Sequence, residues 1–278
     1  AAMVGFISLS YEILWARIYS FVMAGRAHAF AYLLGSFLAG IALGSLFARR
    51  FCRDFDERRG NYIRILAVFL IGVNVLGYFL APMAAEIVRY TDYRPTLLLV
   101  VLASGGLGAM FPLISHAAIP PDRNAGARLS YLYLGNIVGA TAGSLITGLV
   151  LMRIWGVAEI STFLALCGLG TGLTLLFFAG LPRPSLVLAT LAIFVLGAGT
   201  ARLESFAFGT IYEKLLFQSE YRSNLRFAQV VESRSGVVTV EHDGTAYGGG
   251  TYDGKFSTSL VDDRNGIVRA FILSALHP

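Results

Sequence analysis

Two charged residues stand inside an apolar run near the start of this chain. The stretch LSYEILWARIYS, residues 9–20, carries Glu12 and Arg17 within a run from Ala1 to Ala24. A charge at mid-bilayer costs at least about 2.5 kcal/mol on insertion scales, so each such group calls for a partner or a role. Five residues separate the two, about 140° around a helix, so they do not face each other on one surface. Arg17 can extend its head towards the membrane interface, which leaves Glu12 in need of another partner. The other polar side chains inside apolar runs are few: Asn74, His116, Asn136 and Glu159. Glu12, Arg17, His116 and Asn136 therefore make up the candidate buried polar site. One reading is a structural bolt in which Asn136 or His116 satisfies Glu12; the other is a substrate or proton site. Tyr11 and Trp15 read as packing or interface aromatics.

Other chemistry is sparse. No Cys/His spacing suits a metal, and neither a G-x-S-x-G nor a P-loop pattern occurs. The Gly248–Gly250 run lies between two turn signals and opens no helix, so it reads as a hairpin and not as a dinucleotide fingerprint. Cys52 and Cys167 do not suggest a disulfide framework. The catalytic residues stay unassigned and no metal is expected.

These residues must be positioned by a membrane domain. Hydrophobic residues make up 56% of the 278 and charged residues 14%, well below the roughly 25% charged of soluble domains. Mean hydropathy is +0.67. A spanning helix needs about 20 apolar residues, and seven segments approach that: 1–24, 29–48, 62–83, 95–119, 129–152, 157–180 and 185–201. The last has only 17 residues. The fold class expected is an all-α polytopic membrane bundle of about seven helices, followed by a small β-hairpin module and one helix. The formal charge of +5 sits mostly in loops, which argues for orientation in a membrane and against nucleic acid. The partner expected is the lipid bilayer, in a plasma or bacterial inner membrane, with a homo-oligomer left open.

Loops at one end carry Arg49, Arg50, Arg53, Arg58, Arg59, Arg123, Arg128 and Arg183; those at the other carry Arg26, Arg89, Arg94 and Arg153. The positive-inside bias places the first set, and the N-terminus, in the cytoplasm. Seven spans then put the tail outside, whereas six return it to the cytoplasm. The runs GIALGSLF (40–47) and GATAGSLI (139–146) share the pattern G-x-x-x-G-S-L. Small residues at that spacing let helices pack closely. Their separation by three spans also fits a three-plus-three inverted repeat, as in half-transporter bundles.

Residues 1–201 form the membrane domain, 202–224 an amphipathic or irregular connector, and 225–278 the β module with its terminal helix. LRFAQVVES and GVVTVEH read as strands. Asp243-Gly244 is a strong hairpin signal, and Asp253-Gly254 reads as a second turn. Asp262 and Asp263 read as a cap on the last helix.

The pattern of Tyr11, Glu12, Trp15 and Arg17 resembles the Y-E-x-x-W-x-R of the first span in membrane-integrated spermidine synthase-like proteins, the fused transporter/spermidine synthase family. The segment VVESRSGVVTVEHDGTAYGGGTYDGKF, with DDRNGIVRAFILSALHP after it, is similar to that family's N-terminal β-hairpin domain. The resemblance implies a membrane anchor and lid for an aminopropyltransferase-type enzyme. It also implies a Rossmann-like domain past Pro278 that takes decarboxylated S-adenosylmethionine or a related nucleoside, none being bound by this chain itself. An amine substrate is the partner implied, with Tyr252, Asp253, Asp263 and Asn265 at the mouth of its pocket. Asn265-Gly266-Ile267 stands where soluble spermidine synthases have Tyr-His-Glu, so another nucleophile can replace the polyamine. A small-molecule or amine transporter built around Glu12 is the alternative.

Overall fold

The computed structural model describes residues 1–52, 59–180 and 182–255, with 272, 275 and 276 near the C-terminus. Long apolar helices dominate: α1 (Ala2–Val22), α2 (His28–Ala48), α3 (Arg59–Val88), α4 (Leu97–Ala118), α5 (Ala125–Leu145), α7 (Val157–Phe178) and α8 (Arg183–Phe208). α5 widens into a π turn, Ile146–Leu151, and ends in the short α6, Met152–Ile154. Among the described residues, six helical stretches are long and apolar enough to cross a membrane, beginning at His28, Tyr62, Arg94, Ala125, Val157 and Arg183. The chain thus has multi-pass helical membrane character. The 17-residue segment read as the weakest span belongs to a 26-residue helix. It runs seven residues into the stretch expected to be a connector.

α1 is not among the six, although it has 21 residues. Its charges lower its hydropathy, and its position explains why it keeps them. Ile7, Tyr11, Leu14, Trp15, Ile18 and Tyr19 are all buried in the main core, between α5 on one side and α2 and α7 on others. A helix shielded by protein need not be apolar all round.

Both G-x-x-x-G-S-L motifs lie at close helix crossings. A Cβ on Gly44 would stand 1.7 Å from the Gly105 carbonyl oxygen of α4, and one on Gly143 of α5 would stand 2.3 Å from Phe6 O of α1. Ser45, next to Gly44, donates to Gly108 O at 3.0 Å. That carbonyl is the one deprived of its helical partner by Pro112, which has no N–H. Ser10 of α1 donates to Gly143 O at 3.3 Å and receives a bond from Thr147 Oγ1 at 2.8 Å, where α5 opens into the π turn. The main pairings are α2 with α4, α1 with α5, and α3 with α7, followed by α3 with α4, α7 with α8 and α1 with α7. Exchanging α1 with α4, α2 with α5 and α3 with α7 leaves these pairings unchanged, apart from that of α8, which packs mainly on α7. Close packing and repeat-like pairing therefore coexist.

Beyond α8, α9 (Ile211–Phe217) leads to an antiparallel sheet ordered β1 (Gln229–Ser233), β2 (Gly236–Val240), β3 (Thr245–Gly248), β4 (Thr251–Lys255). Asp243-Gly244 does turn between β2 and β3: Gly244 has φ +87, and Asp243 Oδ1 accepts from Thr245 N–H at 2.9 Å. The second turn is not at Asp253-Gly254, which lies inside β4. It forms at Gly249 and Gly250, with φ +56 and +81. Two consecutive residues in the left-handed region favour glycine over the Asp-Gly pair further on.

Candidate functional site

The sheet sits on the end of the bundle formed by the C-terminus of α1 and the N-terminus of α7. A Cβ on Gly250 would stand 2.1 Å from Phe21 O, and Thr251 Oγ1 donates to Ala24 O at 3.1 Å. Phe21 packs edge-on against Tyr212 of α9, and Phe227 stacks on Phe217. These apolar contacts fix where the sheet lies; a charged latch fixes its register.

Arg17 is that latch. Its Nη2 donates to Ser233 O at 2.6 Å, and its Nη1 lies 3.6 Å from Glu232 Oε2. The two side chains are 7% and 18% exposed, so the pair is largely removed from water. The same Glu232 oxygen accepts from Val157 N–H at 2.9 Å, at the start of α7. A carboxylate there meets both unpaired N–H groups and the positive end of the helix dipole. Glu159 is no free charge within a span: it belongs to the first turn of α7 and accepts from Gly156 N–H at 3.0 Å. Gly156 itself leaves room for Glu232, since a Cβ there would come within 2.6 Å of Glu232 Oε1.

Between α1, Met152 and the sheet opens a crevice of about 560 Å³. Its charged lining is Arg17 and Arg234, with Ser20, Ser235 and the backbone of Gly236 and Gly249 alongside. Such a mouth favours anionic or neutral polar groups over a cation. Tyr252 and Asp253 are exposed on β4, outside this lining. Tyr252 packs edge-on against Tyr247. Asp263 and Asn265 lie outside the described residues.

The remaining candidates are spread along the bundle. Glu12 is half-buried on α1 and has no hydrogen bond or ion pair among the described residues. Asn136 sits over Gly5, seven residues or about 10 Å along α1 from Glu12. His116, near the end of α4, packs edge-on against Tyr62. No hydrogen bond joins Glu12 to either one among the described residues. Asn74 is fully buried on α3. Its amide donates to Leu70 O at 2.8 Å, and its backbone oxygen accepts from Tyr11 O–H at 3.3 Å. Of the Y-E-x-x-W-x-R residues, Tyr11 and Trp15 therefore serve the core, and Arg17 serves the sheet. Glu232, the residue that completes the site, was missed in the sequence reading because a single glutamate in an edge strand carries no local signal.

The sheet has its own electrostatics. Lys255 Nζ bonds Asp243 Oδ2 at 2.7 Å. The ammonium of Lys255, then the Thr245 N–H, hold the Asp243 carboxyl well below the usual carboxylate range. Burial, then the bond to the Glu241 carboxylate, pushes the Tyr247 hydroxyl well above its ordinary value. A depressed Asp pKa adds stability above the unfolded value of about 3.9, and that stability is lost as pH falls below it. Protection of the Thr245 amide from exchange, relative to an unstructured amide at the same pH, should be constant above about pH 5 and should fall below about pH 4. Asp243→Asn should remove that dependence; an unchanged acid limb in the variant would assign it elsewhere.

No family model, no curated protein and no solved structure matches this chain.

Proposed function

We propose that this chain is the membrane-anchoring and lid part of an aminopropyltransferase-like enzyme of the S-adenosylmethionine type, with seven spans, α1 included. The observation that carries this reading is the latch. The arginine of the Y-E-x-x-W-x-R pattern reaches across 216 residues of sequence to the first strand of the sheet. The two segments that carry the family resemblance are thus bonded to each other, as an anchor and a lid working as one body require. In this reading the sheet forms a fixed wall over which a following Rossmann-like domain closes. Exclusion of water and positioning of the nucleophile are what such a wall contributes to group transfer.

The transporter reading draws on the repeat-like helix pairing. Its proposed site at Glu12 has no assembled partner among the described residues, and the crevice opens at Arg17 instead. The anchor reading is therefore preferred. The test is calorimetric titration of the protein encoded by the complete open reading frame with an adenosyl sulfonium analogue. Saturable binding at one site per chain is expected; absence of binding by folded protein would overturn the reading.

A further inference from the structure

A second, larger groove opens at the same end of the bundle, between α3, α8 and α9, with a volume of about 1070 Å³. Its outer part gathers four cations, Arg89, Lys214, Arg222 and Arg226, against a single carboxylate, Glu86. Glu86 pairs with both Arg89 and Lys214, the latter at 2.8 Å. Arg89 is also held over the Tyr221 ring at 4.8 Å. Arg222 and Arg226 are exposed and have no carboxylate partner among the described residues. Each uses one nitrogen on backbone carbonyls, Arg226 on Gly209 O and Arg222 on Tyr221 O, both at 3.1 Å. An arginine carries five N–H donors, so both keep donors for a bidentate oxyanion.

The inner part of the groove is apolar. Phe79 and Met83 line it from α3, and Leu203 and Phe206 from α8. Phe206 is 84% exposed. Met83 precedes Arg89 by six residues, so the apolar wall lies about 9 Å deeper along the helix than the cations. This order, cations at the rim and an apolar slot running inward, matches a lipid with an anionic head. Neither a soluble phosphate nor a neutral lipid would use both parts.

We propose that this groove binds one anionic phospholipid, its phosphate on Arg222 and Arg226 and its acyl chains along Phe79, Met83 and Phe206. The site is separate from the crevice at Arg17 and stands whether or not the chain serves a transferase. The test holds the purified full chain in a neutral maltoside detergent and counts bound lipid by native mass spectrometry. The probes are dioleoyl phosphatidylglycerol and dioleoyl phosphatidylcholine. At least a tenfold preference for the glycerol head is expected, weakening with added salt. Arg222→Gln/Arg226→Gln should lower phosphatidylglycerol affinity roughly 20- to 30-fold, since each basic residue near a membrane surface gives about a fivefold effect. Arg94→Gln, at an exposed position outside the groove, should change nothing. Equal affinity for the two lipids, or an undiminished preference in the double variant, would overturn the proposal. So would glycerol phosphate binding as tightly as the lipid. If the double variant does not fold, Arg222→Gln alone is read, because among the described residues that side chain bonds only the carbonyls of Ser219 and Tyr221.

Discussion

Glu232→Met should loosen the sheet from the bundle by about 3–5 kcal/mol, the usual cost of stranding one partner of a buried ion pair. Arg17→Met should cost less, because the two partners are not left in equal trouble. Without Glu232, the Arg17 guanidinium keeps one backbone acceptor, Ser233 O, while its side chain is only 7% exposed. Without Arg17, the Glu232 carboxylate still accepts from Val157 N–H at the positive end of α7, a setting that favours an anion. The double variant, Arg17→Met with Glu232→Met, should be more stable than Glu232→Met alone. Two well-filled apolar side chains are no worse than a desolvated pair, and they are better than a lone charge. Hydrogen exchange across β1 and β2 in reconstituted protein reads the docking directly, and a double-mutant cycle isolates the pair term. Losses that simply add would show that Arg17 and Glu232 act independently, and the latch would have to be abandoned.

What the sequence made legible follows the range of the forces involved. Helices declare themselves locally, through runs of apolar residues that lipid requires, and the multi-pass helical character is legible on that basis. α8 was cut short at Ala201 because Arg202 and Glu204 break the hydropathy. The structure carries the helix on to Phe208, where Thr162 Oγ1 donates to Glu204 Oε2 at 2.8 Å. The Asp243-Gly244 turn was legible because it is made by its own two residues and an aspartate bonding to its own backbone. The glycine run at 248–250 reads as a hairpin, and the β3–β4 turn does form there, at Gly249 and Gly250 against Phe21; Asp253-Gly254, a turn signal of equal local strength, is drawn into β4. The site was half legible. Arg17 is conspicuous as a charge in an apolar run, but its partner lies in a polar strand where one more glutamate attracts no notice. Orientation suffers likewise. The short-loop arginines favour one end, but the sheet and α9 bring Lys214, Arg222, Arg226, Arg234 and Lys255 to the other, which offsets that bias.

Gly44→Ala and Gly143→Ala should each destabilise the bundle by about 1–3 kcal/mol or more. Added methyls 1.7 Å and 2.3 Å from the Gly105 and Phe6 carbonyl oxygens cannot be relieved by rotating a side chain. Only a shift of whole helices makes room, and each shift breaks something else. Separating α2 from α4 pulls Ser45 away from Gly108 O, leaving that carbonyl unpaired where no water can replace the bond. Separating α5 from α1 breaks the bond from Ser10 to Gly143 O and strains the link from Thr147 to Ser10. The contrast lies on the same two helices. Gly35 and Gly135 have nothing within 4 Å of an added Cβ, so Ala there should be neutral or should stabilise by up to about 1 kcal/mol through helix propensity. Thermal unfolding of the four variants in one detergent compares them directly. Similar losses at Gly44 and Gly143, with none at Gly35 and Gly135, are the result expected if the two crossings are equivalent halves of one repeat-like architecture. A Gly44→Ala protein as stable as Gly35→Ala would show that the α2–α4 crossing is not tight. A loss at only one of the two crossings would show that their shared motif does different work in each half.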